Sequence, residues 1–202
     1  MQIFDISKDI TSCAIYPGDP DVRLEVVDTL AGGGSCNLSA IHTGLHNGTH
    51  ADAPLHFIDG GESIEKADLS VFIGECHVVE VPAGPLTGED VNKLFPADAK
   101  RVLIKSSGKA WLLKSAAEEI AFSGVKLIGT DALSVGTSGD QTGPHVALLR
   151  ENVAIVENLE LNHVKPGRYF LLAQPLKIGG AEAAPVRAVL LADYVFWSGS
   201  KA

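Results

Sequence analysis

The stretch Thr43 to Gly61, TGLHNGTHADAPLHFIDGG, constrains the fold of this chain more than any other segment. It follows neither the two-residue period of a strand nor the 3.6-residue period of a helix, and it carries four glycines and a proline. Runs of this length without regular structure are uncommon inside a compact domain unless they build a site or are disordered. Disorder fits poorly, because histidine, leucine, phenylalanine and isoleucine alternate with the turn residues. The segment therefore reads as an ordered functional loop, held by a scaffold on either side.

Four of the seven histidines, His42, His46, His50 and His56, fall within fifteen residues of that region. His46, His50 and Asp52 together offer neutral imidazoles and a carboxylate, the donor set that suits zinc and, with more oxygen, manganese or iron. The bland alternative is a hydrogen-bonded polar turn. Clustering of four imidazoles beside a carboxylate favours the metal. His46 and His50 are four residues apart, as on one helix face, but Gly48 and Pro54 oppose a sustained helix, so a tight turn is expected to gather the ligands. His42, on the strand expected before the turn, reads as structural.

The scaffold reads as a mixed α/β fold in one domain spanning 1–202. Strands are expected over Arg23 to Leu30, Cys76 to Val81, Arg101 to Lys105, Val125 to Gly129, Val153 to Glu157, Arg168 to Ala173 and Arg187 to Ala192. Between the third and fourth of these lies a helix, Ser115 to Ser123, with Ser115 and Glu118 spaced as a capping box, Glu118 and Glu119 in its first turn, and Gly124 at its end. A second helix runs from Pro144 to Arg150. Ser106-Ser107-Gly108 and Gly136 to Gly139 lack the nucleophile-elbow and P-loop patterns and read as loops. Gly32-Gly33-Gly34 reads as a flexible hairpin turn or lid.

With 16 basic against 25 acidic residues, the chain has a formal net charge of -9 and no excess of cations for nucleic acid or an anionic membrane. No apolar run approaches the roughly 20 residues of a membrane span, and the N-terminus lacks a secretory pattern. Cys13, Cys36 and Cys76 form no paired motif and read as free thiols, which suits a cytoplasmic protein acting on a small molecule.

From His46 to Phe57 the chain reads HNGTHADAPLHF, matching every fixed position of HxGTHxDxPxHF. With FDIS (Phe4 to Ser7), PGD (Pro17 to Asp19), VKLIGTD (Val125 to Asp131) and PGRYFLLAQPLKI (Pro166 to Ile178), it resembles the metal-dependent cyclase family that includes bacterial kynurenine formamidase and isatin hydrolase. The resemblance implies the cyclase-like swivelling β/β/α fold and hydrolysis of a C–N amide bond. It implies two zinc ions, one held by His46, His50 and Asp52, the other by Asp52 with His145 and Glu157. On the residues alone, Glu157 reads as the end of a strand, so its ligand role comes from the resemblance.

His56 matches the family's acid/base histidine, and imidazole is suited to taking a proton from water and returning it to a leaving nitrogen. Ligation of metal by His56 is the alternative. Tyr16 stands where the formamidases carry tryptophan, and reads as a substrate contact or a packing aromatic. Phe57 reads as core. The resemblance further implies a homo-oligomer, most simply a dimer, and an arylformamidase acting on N-formyl-kynurenine in tryptophan degradation. Two alternatives stand beside it: an isatin-hydrolase-like cyclic-amide or lactone hydrolase using manganese, and a catalytically silent metal- or ligand-binding module.

Overall fold

The computed structural model describes residues 1–194. In chain order it contains β1 (Gln2–Asp5), β2 (Arg23–Asp28), β3 (Leu38–His42), β4 (His50–Asp52), β5 (Ile73–Glu80), β6 (Gly84–Leu86), α1 (Gly88–Leu94), β7 (Arg101–Lys105) and β8 (Ala110–Leu112). There follow α2 (Lys114–Phe122), β9 (Leu127–Thr130), α3 (Thr142–Arg150), β10 (Ala154–Glu157), β11 (Gly167–Leu172), β12 (Ala183–Pro185) and β13 (Val189–Ala192). Nine of these strands form one mixed sheet in the order β1-β13-β11-β5-β7-β9-β10-β4-β12. Its centre, β5-β7-β9-β10, is parallel, and the flanking pairs are antiparallel.

Parallel strands covered on both faces read as continuous apolar runs, which is why RVLIK and VKLIG show no alternation. Val102, Ile104, Ile128 and Ile155 pack on the helix side with Ile120 of α2 and Leu148 of α3. Leu103, Leu127 and Val156 point to the other face, against Leu159, Leu171 and Leu190. Leu103 and Leu148 are fully buried, and each such side chain contributes roughly 1.5–3 kcal/mol. No helix of the described residues is long and apolar enough to cross a membrane.

Two local expectations are corrected. α2 begins at Lys114, not Ser115, with Leu113 as its N-cap and no side-chain cap, so Ser115 and Glu118 form no capping box. The reason is that Leu113 is already fixed: its N–H donates to Leu86 O, and its carbonyl accepts from Ala116 and Ala117 N–H. Glu118 and Glu119 consequently fall beyond the first turn, where Glu118 meets Lys114 at 3.4 Å on the surface. A capping box forms instead at α1, between Thr87 and Asp90.

β2 and β3 pair only with each other and stand apart as a ribbon. Leu24 and Val26 are 59% and 62% exposed on it, and Leu30, Leu38 and Ile41 are exposed as well. The triple-glycine segment forms its tip, an ordered 3-10 turn over Leu30–Gly32 in which Thr29 Oγ1 accepts from Gly32 N–H. His42 closes β3 with its Nε2 3.0 Å from Glu25 Oε2 across the ribbon, away from the other three clustered histidines.

Candidate metal centre

The segment taken as one long loop contains a three-residue strand, β4, clamped between β10 and β12. Its register sets His50 opposite Glu157 and Asp52 opposite Ile155. Side chains alternate along a strand, so His50 and Asp52 share the helix-side face, while Ala51 turns into the opposite core. α3 then brings His145 over the same point, with Nε2 3.2 Å from Glu157 Oε1 and 3.6 Å from Asp52 Oδ2. His50, Asp52, His145 and Glu157 are all buried.

The turn leading into β4 carries His46. Gly48 sits there at φ +70°, and a Cβ on it would lie 3.2 Å from Ile10 Cα, so no other residue fits without strain. His46 Nδ1 lies 3.2 Å from Asp52 Oδ1, and its Nε2 lies 3.6 Å from Glu182 Oε1. Beyond β4, Pro54 opens a 3-10 turn that ends on His56. The His56 and His46 rings are 4.1 Å apart between centroids.

Tautomers follow from the surrounding carbonyls. His50 Nδ1 is 3.0 Å from Gly48 O, and His145 Nδ1 is 2.7 Å from Gln141 O. A carbonyl oxygen can only accept, so each Nδ1 carries a proton and each Nε2 of the neutral ring turns its lone pair toward the carboxylates. His50 Nε2 lies 3.5 Å from both Asp52 Oδ1 and Glu157 Oε2. His50 Nε2 and both Asp52 oxygens are buried without a hydrogen-bond partner. Lone pairs converge on lone pairs, an arrangement that only a cation or added protons can relieve.

The donor atoms suit a metal. Two trios, His46-Asp52-His56 and His50-Asp52-Glu157, each hold their ligand atoms within 4.8 Å of one another. Both share Asp52. Imidazole nitrogen with carboxylate oxygen is a common set for a catalytic divalent ion.

Without metal, protons take the cation's place. Burial opposes charge on His50 and His145, but Glu157 and Asp52 outweigh it and push them up to about 9 and about 10. Burial likewise opposes ionisation of Asp52, yet His145, His46 and His50 hold its carboxyl well below the usual range. Glu157 is lowered by His145 and His50 against both burial and Asp52. His56 moves the other way: burial, aided by the neighbouring His46 and His145, lowers it.

A cleft of about 170 Å³ opens onto these groups, lined by Tyr16, His46, His56, Phe57, Ser134, Gln141, His145 and Glu157 among others. His46, His50, Asp52, His56, His145, Glu157 and Tyr16 therefore lie around one cleft, and His42 does not. Phe57 differs from its reading as core alone, because it stacks on His145 at 4.3 Å and lines the cleft. Three further residues had no signal in the sequence: Ser134, Gln141 and Glu182. Ser134 Oγ lies 3.1 Å from Glu157 Oε1, and Val135 N–H donates to that same oxygen at 2.7 Å. The loops Ser106 to Gly108 and Gly136 to Gly139 are structural, the first folded around the Asp131 carboxylate, which accepts from the Ser106, Ser107 and Gly108 amides.

The fold and this buried cluster define a hydrolytic enzyme. The match to the family described as Putative cyclase covers residues 4–137, and the chain belongs to that family. A kynurenine formamidase of Salinibacter ruber is 37% identical over 206 residues, covering 94% of this chain and 97% of the relative. Another, of Delftia acidovorans, is 37% identical over 204 residues, covering 95% and 98%. Among solved structures, a predicted metal-dependent hydrolase from Bacillus stearothermophilus superposes with a TM-score of 0.81 at 28% identity, covering 94% of this chain and 97% of that one. Isatin hydrolase A from Labrenzia aggregata shares the fold, with a TM-score of 0.79 at 19% identity over 94% of this chain and 93% of its own.

Proposed function

We propose that this chain is a metal-dependent arylformamidase that converts N-formyl-kynurenine to kynurenine and formate. The observation that carries the reading is the convergence of unpartnered lone pairs from His50 and Asp52 with Glu157 and His145, beside a neutral His56. Near full-length similarity to kynurenine formamidases supports the substrate. His46, His50 and Asp52 would hold one zinc ion, and Asp52, His145 and Glu157 a second. Bound there, such ions would supply an acidified water, with a pKa of about 7, and Lewis-acid polarisation of a carbonyl oxygen.

The protein's own groups supply the rest. Phe57 and Tyr16 wall the cleft and orient the aromatic ring of the substrate. His56 is neutral at pH 7, since its burial holds it below the ordinary histidine value. It takes a proton as the water oxygen bonds to the formyl carbon, then gives that proton to the aniline nitrogen as the C–N bond breaks. The amine leaves neutral, and the formic acid that carries the water oxygen releases its remaining proton to solvent as formate.

The exposed apolar ribbon of β2 and β3 supports a homodimer, because an isolated two-stranded ribbon is marginal in water unless something covers it. Cys13, Cys36 and Cys76, all free thiols, suit the cytoplasm.

The test is hydrolysis of N-formyl-kynurenine, isatin and a simple ester by zinc- and manganese-loaded protein, followed by absorbance. Zinc-dependent release of kynurenine, abolished by a chelator while circular dichroism stays unchanged, is the expected result. Turnover of isatin alone, or of no substrate, would overturn the proposal. Sedimentation analysis reads the assembly, and a monomer at micromolar concentration would remove the dimer.

A further inference from the structure

Gln141 belongs to none of the ligand sets, yet it touches both halves of the site. Its backbone carbonyl accepts from His145 Nδ1 at 2.7 Å. Its side-chain Nε2 donates to Tyr16 OH at 2.8 Å, and its Oε1 accepts from Ser134 Oγ at 2.7 Å. The direction of this chain is decided at Ser134. That hydroxyl accepts from Gly136 N–H at 3.2 Å and has one proton to give, with Gln141 Oε1 at 2.7 Å and Glu157 Oε1 at 3.1 Å as its two acceptors. Glu157 Oε1 is already served by Val135 N–H at 2.7 Å. The shorter contact takes the proton.

The amide is also boxed in. A Cβ at position 136 would lie 2.9 Å from Gln141 Oε1 and 3.0 Å from its Cα, so glycine there is what lets the side chain reach Ser134. With Oε1 committed to Ser134, the amide must present N–H to Tyr16. The phenolic oxygen is then an acceptor toward Gln141, and its own O–H is left to donate into the cleft that both residues line.

We propose that Gln141 is a positioning residue that fixes Tyr16 as a hydrogen-bond donor, so that the site selects aryl amides bearing a second carbonyl oxygen ortho to the scissile group. This assignment rests on the amide-hydrolase reading for its substrate class. An ortho-acyl formanilide offers two carbonyl groups, one whose carbon is attacked and one whose oxygen accepts from Tyr16. An unsubstituted formanilide offers only the first and leaves the donor unpaired, at a cost in affinity.

The test compares two product-like amines of the same shape, 2-aminoacetophenone and 2-ethylaniline, binding to the zinc-loaded protein by calorimetry. The wild-type protein should prefer the ketone by about tenfold, the yield of one neutral hydrogen bond. Tyr16→Phe and Gln141→Leu should each abolish the preference with metal content unchanged, and the double variant should lose no more than either single one. A preference that survives Tyr16→Phe, or one that Gln141→Leu leaves intact, overturns the assignment. Turnover of the corresponding formamides, measured in parallel, separates the two readings. Hydrolysis without ketone preference sinks only this inference, whereas ketone preference without hydrolysis sinks only the proposed reaction.

Discussion

Filling the centre with metal should expel two protons at neutral pH. His50 and His145 are pushed up to about 9 and about 10 because Glu157 and Asp52 share their pocket, so both rings are imidazolium in the metal-free protein. Ligation needs each Nε2 lone pair, and both Nδ1 protons stay on the Gly48 and Gln141 carbonyls. One proton lost per ring makes the apparent metal affinity rise about a hundredfold per pH unit below pH 8, or about 2.7 kcal/mol. The same shifts act on the metal-free fold. Raised histidines contribute stability that is fully present below about pH 6.5 and is lost as pH climbs through about 9 and about 10. Asp52 and Glu157, held low, contribute stability above the ordinary carboxylate range and lose it on acidification. Zinc titrations at pH 7 in two buffers of different ionisation enthalpy count the protons directly. A count near zero would refute the protonated pocket.

Three other outcomes are expected. His56→Ala should lower turnover by about 10²–10⁴-fold with metal content intact by elemental analysis, because on the proposed reading His46, His50 and Asp52 hold the ion and the ring moves protons; near-normal turnover, or loss of metal, would remove that role. Asp52→Asn should abolish retention of metal, because this carboxylate is common to both ligand trios, and an equilibrium dialysis showing unchanged zinc would contradict the shared position. Gly48→Ala should lower the Tm by about 2 to 12 °C, the effect of roughly 1–3 kcal/mol of backbone strain at φ +70° beside Ile10. An unchanged melting curve would show that the turn relaxes freely.

How much of this was legible in the sequence depended on whether the cause was local. The apolar runs of β7 and β9 and the glycine ending α2 announced themselves, because burial on both faces and a left-handed cap leave a mark within a few residues. HNGTHADAPLHF carried four of the clustered side chains, His46, His50, Asp52 and His56, since they lie within two turns and one short strand. β4 itself was hidden: three residues are too few to show a period, and its partners β10 and β12 lie more than a hundred residues away. For the same reason the residues alone made Glu157 an ordinary strand end, although antiparallel register sets it beside His50. Ser115 and Glu118 had the spacing of a cap, but the β8 connection had already started the helix at Lys114. Gln141, Ser134 and Glu182 belong to no pattern because their role is defined only by what they meet in space, the first two in the cleft and Glu182 beside His46.

The clamping of β4 has a consequence for how the protein is made. His46, His50 and Asp52 leave the ribosome early, but both strands that hold β4 emerge only after residues 157 and 185 have been synthesised. Until then the nascent chain carries a histidine-rich segment without the acid and imidazole contributed by later elements. An unfinished polypeptide therefore owns an incomplete cage, and tight capture of an ion waits until residue 185 has been synthesised.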